Sequence, residues 1–505
     1  MPRQVLTFPS FDGGLNLDVA PEQVRENELR VAQNIDIVER GGAAKRWGTD
    51  FVNKTSLAGR VLQLIEWTQN SGIVVRLAVV EAGTNNRLVQ LNADGSTAVI
   101  SNLLNKQRVG HFSLNDQLYL VDGLEYYQWS GSGGLEKVPP QKFDKEGKAV
   151  EDCDLTPIRK CTLAVRHTKS LRIFFAGNGS NRLYYSEPND PSYVKELAFV
   201  VPTTGDGVVK GLAVFVDALL VYFTRSIWIW RGMDPASDAI WEKLPVSEGS
   251  DSPGTLELTD NQFEYLGSGS GHWAMTPALL GATAVINPGQ GLWMNLAENK
   301  VQTLVAEIKN RGLASGAFDV KKRKNYLAFT NAQVNYCDQV LVRQTTLGSY
   351  TLYQGLEVYD LLYTSDGEVW FGSKNYVMKF KEWYRDACSD GTYKKILFDL
   401  QTPESCLGEP FKKKWVRGLT IAMANPGYQD YVLRVQAYAD GTLAFETKYT
   451  PTTKEHFVLA RFMNLGIVGK RISIRLTNDQ FDTETLIYSI ALDTEYILNS
   501  YGGEL

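Results

Sequence analysis

Leu118-Tyr119-Leu120-Val121-Asp122-Gly123-Leu124-Glu125-Tyr126-Tyr127-Gln128-Trp129 is the stretch that decides the fold. An apolar strand runs into an Asp-Gly turn, and a second strand rich in aromatics follows. The design recurs. Ile173-Phe174-Phe175-Ala176 leads through Gly177-Asn178-Gly179 to Leu183-Tyr184-Tyr185, and Leu220-Val221-Tyr222-Phe223 leads to Ile227-Trp228-Ile229-Trp230. Ala284-Val285-Ile286 leads through Pro288-Gly289 to Leu292-Trp293, and Tyr326-Leu327-Ala328-Phe329 precedes Gln339-Val340-Leu341-Val342. Leu361-Leu362-Tyr363 turns at Asp366-Gly367 into Val369-Trp370-Phe371, with Val377-Met378-Lys379-Phe380 behind it. An earlier copy pairs the strand from Val74 to Val79 with Leu88-Val89-Gln90-Leu91. About seven hairpins, spaced roughly 40 to 65 residues apart, suit the four-stranded blades of a β-propeller. Six to eight blades fit the spacing, and a large irregular sandwich or stacked hairpins is the alternative.

Working outward, the chain divides into an arm over 1–50, a propeller-like domain over 51–401, a linker over 402–408 and an antiparallel β-sandwich over 409–505. In the arm, Phe11-Asp12-Gly13-Gly14-Leu15-Asn16 reads as an extended segment with a Gly-Gly turn. Val24, Val31, Ala32 and Ile35 recur at rough helical spacing, which predicts one short helix after Pro21. In the last segment, half-buried alternation over Tyr431 to Tyr438 suits a small sandwich.

Composition narrows the function. The 505 residues are 44% hydrophobic and 22% charged, which excludes a disordered chain. No run of 18 apolar residues occurs and no apolar region follows Met1-Pro2-Arg3-Gln4, so neither a membrane span nor a secretory signal is expected. A net charge of −5 argues against a general grip on nucleic acid. Cys153, Cys161, Cys337, Cys388 and Cys406 are odd in number and widely spaced, as isolated thiols in a reducing cytoplasm would be.

Catalytic constellations are scarce. His111, His167, His272 and His456 stand far apart, without the spacing of a zinc site, and no phosphate-binding P-loop is written. Gly267-Ser268-Gly269-Ser270-Gly271 lies between strand segments and reads as a flexible loop; Gly267, Gly269 and Gly271 are the candidates for a lumen or gate loop. Asn478, Asp479, Asp482 and Glu484 lack the spacing of a calcium loop. The basic runs from Lys321 to Lys324 and Lys412 to Lys414 read as solvated tips. Thr364-Ser365-Asp366-Gly367-Glu368-Val369-Trp370 resembles the Asp box of sialidase-like propellers, although its Asp and Gly are adjacent; a type I′ turn accounts for them. No catalytic residue, metal or cofactor is assigned, and the chain is not expected to be an enzyme.

The arm carries the one specific resemblance. Phe11 to Asn16, Pro21-Glu22-Gln23-Val24, Asn27-Glu28-Leu29, Ala32-Gln33-Asn34-Ile35-Asp36, Arg40-Gly41-Gly42 and Arg46-Trp47-Gly48-Thr49 resemble the opening of bacteriophage tail structural proteins. The hairpin from Leu183 to Pro191 is similar to one in the same group. In layout the chain most resembles the tail nozzle, or tail-tube terminus, of short-tailed phages. That resemblance implies a ring, expected as a hexamer, seated below portal and adaptor in the virion tail and made in the host bacterial cytoplasm. DNA would pass through it without specific binding. It also implies that the arm clasps a neighbour or adaptor, with Phe11, Gly13, Gly14, Asn16, Glu28, Leu29, Asn34, Arg40, Arg46 and Trp47 as the contact residues. A receptor- or carbohydrate-binding tail protein is the alternative, and a propeller glycosidase stands behind it.

Overall fold

The computed structural model describes residues 3–497, except 104, 106–107, 144–145, 151, 238–239, 261, 281–291, 407–409, 426–430 and 453–454. Among the described residues, six antiparallel four-stranded meanders follow one another over 61–103, 110–137, 163–200, 211–243, 257–295 and 315–358, and a three-stranded one follows over 360–381. Each sheet supplies its first strand to the centre. The first strands of blades two, three and four touch in turn, those of blades six and seven meet each other, and that of blade seven meets the first strand of blade one, Val61–Thr68. The chain is a seven-bladed β-propeller.

The wedges between blades explain why the hairpins are aromatic. Leu118, Leu120, Tyr127 and Trp129 of blade two face Ile65, Trp67 and Leu77 of blade one. The opposite face of blade two, with Phe112, Tyr119 and Tyr126, packs on Phe175 of blade three. Alternate side chains of one strand therefore serve two different cores, so a blade reads as continuously apolar. Blade five was legible only in part. Its middle hairpin, Phe263–Leu266 with His272–Met275, supplies the strand segments expected on either side of Gly267 to Gly271, and the strand expected at Ala284 to Ile286 lies outside the described residues. Its outer strand Trp293–Asn295 stacks Trp293 on Trp273 at 3.7 Å between ring centroids.

Blade seven borrows its fourth strand. Gly48–Phe51 pairs with Val377–Lys381, so residues near the start of the chain seal the ring. Its Asp366-Gly367 hairpin is not type I′. Gly367 alone has positive φ, at +83°, and its N–H donates to the Thr364 carbonyl, which makes a type I turn followed by a left-handed glycine.

The last strands form a sandwich, with borrowed parts. One sheet runs in the order Phe457–Gly469, Lys414–Ala424, Leu486–Tyr496, Ala43–Lys45, Ile35–Ile37, and Arg3–Phe8 pairs alongside Leu486–Tyr496. The facing sheet joins Leu433–Ala439, Thr442–Tyr449 and Ile472–Asn478 to Phe398–Gln401, and then through Val31–Gln33 to the outer strand of blade six. Both sheets bury one core, and that core continues into Leu266, Leu327, Phe329 and Leu341 of blades five and six.

Two expectations are corrected here. Residues 1–50 are no separate arm, because their strands complete both domains, and no helix forms over 22–34. Glu28–Leu29 and Val31–Gln33 are extended, followed by Asn34 at φ +55° and the strand Ile35–Ile37. The helical spacing was outweighed by alternation: Ala32, Ile35 and Ile37 are buried on strands that need partners from distant sheets. The linker is also less free than expected, since the N–H groups of Thr402 and Ser405 donate to the carbonyls of Ile474 and Ile472; residues 407 and 408 lie outside the described residues.

Candidate functional site

The motif over 11–49 is built as a brace. Gly14 sits at φ +67°, and a Cβ there would lie 2.6 Å from the Tyr350 carbonyl oxygen, so only glycine fits. Gly14 and Leu15 pair in parallel with Glu28 and Leu29. The Glu28 carboxylate, nearly fully buried, accepts from Asn16 Nδ2 at 2.9 Å and from Lys300 Nζ at 2.7 Å. Burial alone would raise its pKa; the Lys300 ammonium, the Arg25 N–H and Asn16 outweigh burial and hold it below the usual range. Lys300 also donates to the Gly13 carbonyl, and Asp18 accepts from the N–H groups of Gln302 and Thr303 at the head of a short helix. Phe11 and Leu29 are completely buried.

Asn34 turns the corner between the two domains. Its N–H donates to Leu352, its Nδ2 to Leu397, and its Oδ1 accepts from Arg46 Nε at 2.8 Å and from the Gln354 N–H. Arg46 is fully buried. It reaches both carboxylate oxygens of Asp386, at 2.9 and 2.6 Å, and its guanidinium lies over the Tyr353 ring at 5.2 Å. Next to it, Lys45 is buried with its ammonium donating to Asn478 Oδ1 and the Gln480 carbonyl. Burial, then the Arg46 charge, lowers its pKa from 10.5 to about 7.

Most of the ten expected contact residues are therefore occupied within the chain. Phe11, Gly14, Asn16, Glu28, Leu29, Asn34 and Arg46 are buried, Gly13 and Trp47 are half-buried, and Arg40 is exposed at φ +71°. A clasping arm would leave these side chains open. Here the polar ones among them, Asn16, Glu28, Asn34 and Arg46, bond within the chain.

The brace ends at a cleft of about 780 Å³ on the face that carries the turns of blades six and seven. Trp47, Phe51, Arg76, Lys322, Trp370 and Lys381 line it. Its cations are largely engaged: Lys322 Nζ lies 3.6 Å from the centre of the Trp47 ring, Arg76 pairs with Glu66 and Asp366, and Lys381 pairs with Asp50. The basic run is thus less solvated than expected, since Lys324 also pairs with Asp36 at 2.6 Å and Arg323 with Asp260 at 2.8 Å.

The expected gate loop is a pinned hairpin. Residues 267–271 join the second and third strands of blade five, away from the axial strand. Arg311 donates to the carbonyls of Gly267 and Gly269, Ser268 donates to the Gly249 carbonyl, and Glu248 accepts from the Gly269 N–H. Glycine is used there for close packing: a Cβ on Gly271 would meet the Trp273 indole nitrogen at 2.0 Å.

Sequence reading missed the polar groups of the axial strands. Asp360 opens blade seven and ties three neighbours: it accepts from the Leu64 N–H of blade one, from Ser315 Oγ of blade six, and from Arg108 at 3.0 Å. Gln63 exchanges hydrogen bonds with the Val109 backbone and meets His111. Glu257 is enclosed by protein while part of its side chain still meets solvent. Burial, then the charges of Asp360 and Glu264, pushes its pKa up to about 8. These residues stand far apart in sequence, so no local motif announces them.

Cys161 and Cys337 are buried thiols pushed up to about 12 by their surroundings. Asp479 and Asp482 are spent on Lys395 and Arg385. Among the described residues no group of three His, Cys, Asp or Glu side chains is placed to hold a metal ion, and no helix is long and apolar enough to cross a membrane.

No protein-family model matches the chain, and no curated protein matches it. Solved structures align in outline. The extracellular domain of a two-component system protein from B. thetaiotaomicron is 11% identical over 67% of this chain, with a TM-score of 0.42, and the chain spans only 40% of its length. The WD40 β-propeller domain of Doa1 is 10% identical over 66% of this chain and 97% of its own, with a TM-score of 0.40. The Neurospora crassa Pan2 WD40 domain is 10% identical over 68% and 97%, with a TM-score of 0.38. The propeller assignment rests on the chain's own sheet order.

Proposed function

We propose that the chain is a structural protein of a bacteriophage tail, a nozzle-like ring component that extends the DNA channel below portal and adaptor, retains packaged DNA and guides its ejection. The observation that carries the reading is the motif run from Phe11 to Thr49, which resembles the opening of such proteins and here threads a propeller and a sandwich into one body. A ring component bears load between neighbours, and a buried, hydrogen-bonded brace between domains suits that task better than a hinged linker would. DNA runs through the lumen of the ring, past an acidic chain that does not hold phosphates. With the motif occupied internally, the contacts between copies lie elsewhere on the surface.

The test is a nonsense mutation of the gene in its source phage, followed by counting DNA-filled heads and imaging tails. Heads that fill and then leak, with the distal ring missing, are the expected result. Heads that keep their DNA on complete tails that fail to adsorb would replace the reading with a receptor binder.

A further inference from the structure

The sandwich sheet that begins at Phe457–Gly469 has two open edges. That 13-residue strand pairs with Lys414–Ala424 on one side, and among the described residues no segment hydrogen-bonds to its other side. At the far end, among the described residues, Arg3–Phe8 pairs only with Leu486–Tyr496. Long open edges are normally blunted by charge, proline or a bulge that twists the edge away. A bulge over 464–466, with Asn464 and Gly466 at positive φ, interrupts this one after Met463, and Arg461 is exposed on it. It still carries Phe457, Leu459, Met463 and Val468 with 45–59% of their surface exposed, and Trp415 stands about 40% exposed on the adjacent strand. These apolar side chains lie along one open edge of the sheet, the kind of surface that marks an interaction site.

Direction and register make the two edges complementary. Each neighbour in the series Phe457–Gly469, Lys414–Ala424, Leu486–Tyr496, Arg3–Phe8 is antiparallel to the last. Following the pairing across the sheet, Met463 faces Gly418, Gly418 faces Asp493, and Asp493 faces Val5. Met463 and Val5, which is 63% exposed, therefore stand at one level on one face at opposite ends of the sheet. Leu6 and Phe8 alternate with Val5 toward the core, as Val458 and Ala460 do at the other edge. We infer that a second copy of this chain docks here, its Arg3–Phe8 strand adding antiparallel to the Phe457–Gly469 strand of the first. Such a contact uses two different surfaces and is head-to-tail, so it repeats from copy to copy and closes a ring when the rotation permits. It rests on the ring reading above and supplies the seam that the internal motif leaves unassigned.

The experiment uses the purified full chain. Light scattering and negative-stain microscopy of wild type are compared with Leu459→Glu/Met463→Glu, whose sites are exposed, with thermal unfolding as the check on folding. Rings in the wild type and a folded monomer in the double variant are expected; rings that persist overturn the seam. Direction is read by mixing Val5→Cys with Met463→Cys protein under mild oxidation, with Leu459→Cys and Val468→Cys covering a shifted register and the wild type controlling for native thiols. Cross-links between unlike variants are expected. Links only between two Met463→Cys copies would show a two-fold pair instead and overturn the head-to-tail contact. Rings that form through this seam in a protein whose loss leaves tails and DNA retention intact would sink the tail function and keep the interface.

Discussion

The Arg46 guanidinium grips the Asp386 carboxylate with two parallel hydrogen bonds, and both side chains are sealed from solvent although 340 positions separate them. The pair fastens the motif to the strand that follows blade seven, Arg385–Ala387. Removing one partner leaves a buried charge without its counter-ion. Arg46→Met or Asp386→Asn is expected to cost about 3–5 kcal/mol. The double change Arg46→Met/Asp386→Leu should cost less than the sum of its single changes. Urea unfolding of the three variants measures this, and strictly additive losses would show that the two groups are not coupled.

Lys45 gives a pH signature. Its folded-state pKa of about 7 lies below the unfolded value of 10.5, so between them the unfolded chain binds the extra proton. Stability is expected to climb as pH rises from about 7 to 9. Below 7 the amine is charged in both states, and its burial cost is carried in full. Lys45→Met should remove this slope relative to wild type. Parallel curves for the two proteins would contradict it.

Glu264 works in the opposite sense. Burial raises its pKa, but the Arg343 charge 2.7 Å away and the His272 contact outweigh burial and hold it well below 4.5. Its contribution is present above pH 4.5 and is lost as pH falls through the depressed value. The group joins blade five to Asn325 and Arg343 of blade six. Glu264→Gln should be less stable at pH 7 and should lose less than wild type on acidification, as read by fluorescence-monitored melting.

Glycine substitutions separate packing from backbone strain. Gly14→Ala combines positive φ with a Cβ 2.6 Å from the Tyr350 carbonyl, and Gly48→Ala places a Cβ 2.0 Å from the Arg385 carbonyl. Each should lower Tm by more than Gly72→Ala, whose φ is +83° but whose Cβ meets nothing within 4 Å. The control should lose about 1 kcal/mol, from backbone strain alone.

The propeller was legible because a blade writes itself locally. Leu118 to Trp129 contains a whole hairpin, and its aromatics announce two inter-blade cores at once. The borrowed strands were not legible. Nothing near Gly48 to Phe51 says that the partner is Val377–Lys381, and the spacing of Val24, Val31 and Ala32 imitates a helix until the distant partners Leu352 and Leu400 are seen. The motif residues stand out in the sequence, while their partners within the chain do not. Glu28 and Arg46 looked available to another protein because Lys300 and Asp386 lie hundreds of positions away.

The closing strand Gly48–Phe51 also sets a timetable. It leaves the ribosome before its partner strand, which is made more than 320 residues later. At roughly 5–20 residues per second that wait lasts tens of seconds. The strands Arg3–Phe8 and Ala43–Lys45 wait longer, for Leu486–Tyr496. Blades two to four complete themselves from contiguous sequence and can form on the growing chain, but blade seven and both sandwich sheets cannot. A chain broken off by truncation would have unfilled edges in both domains at once and would enter turnover or aggregation before joining an assembly. Synthesis of the strand Leu486–Tyr496 thereby becomes the licence for assembly.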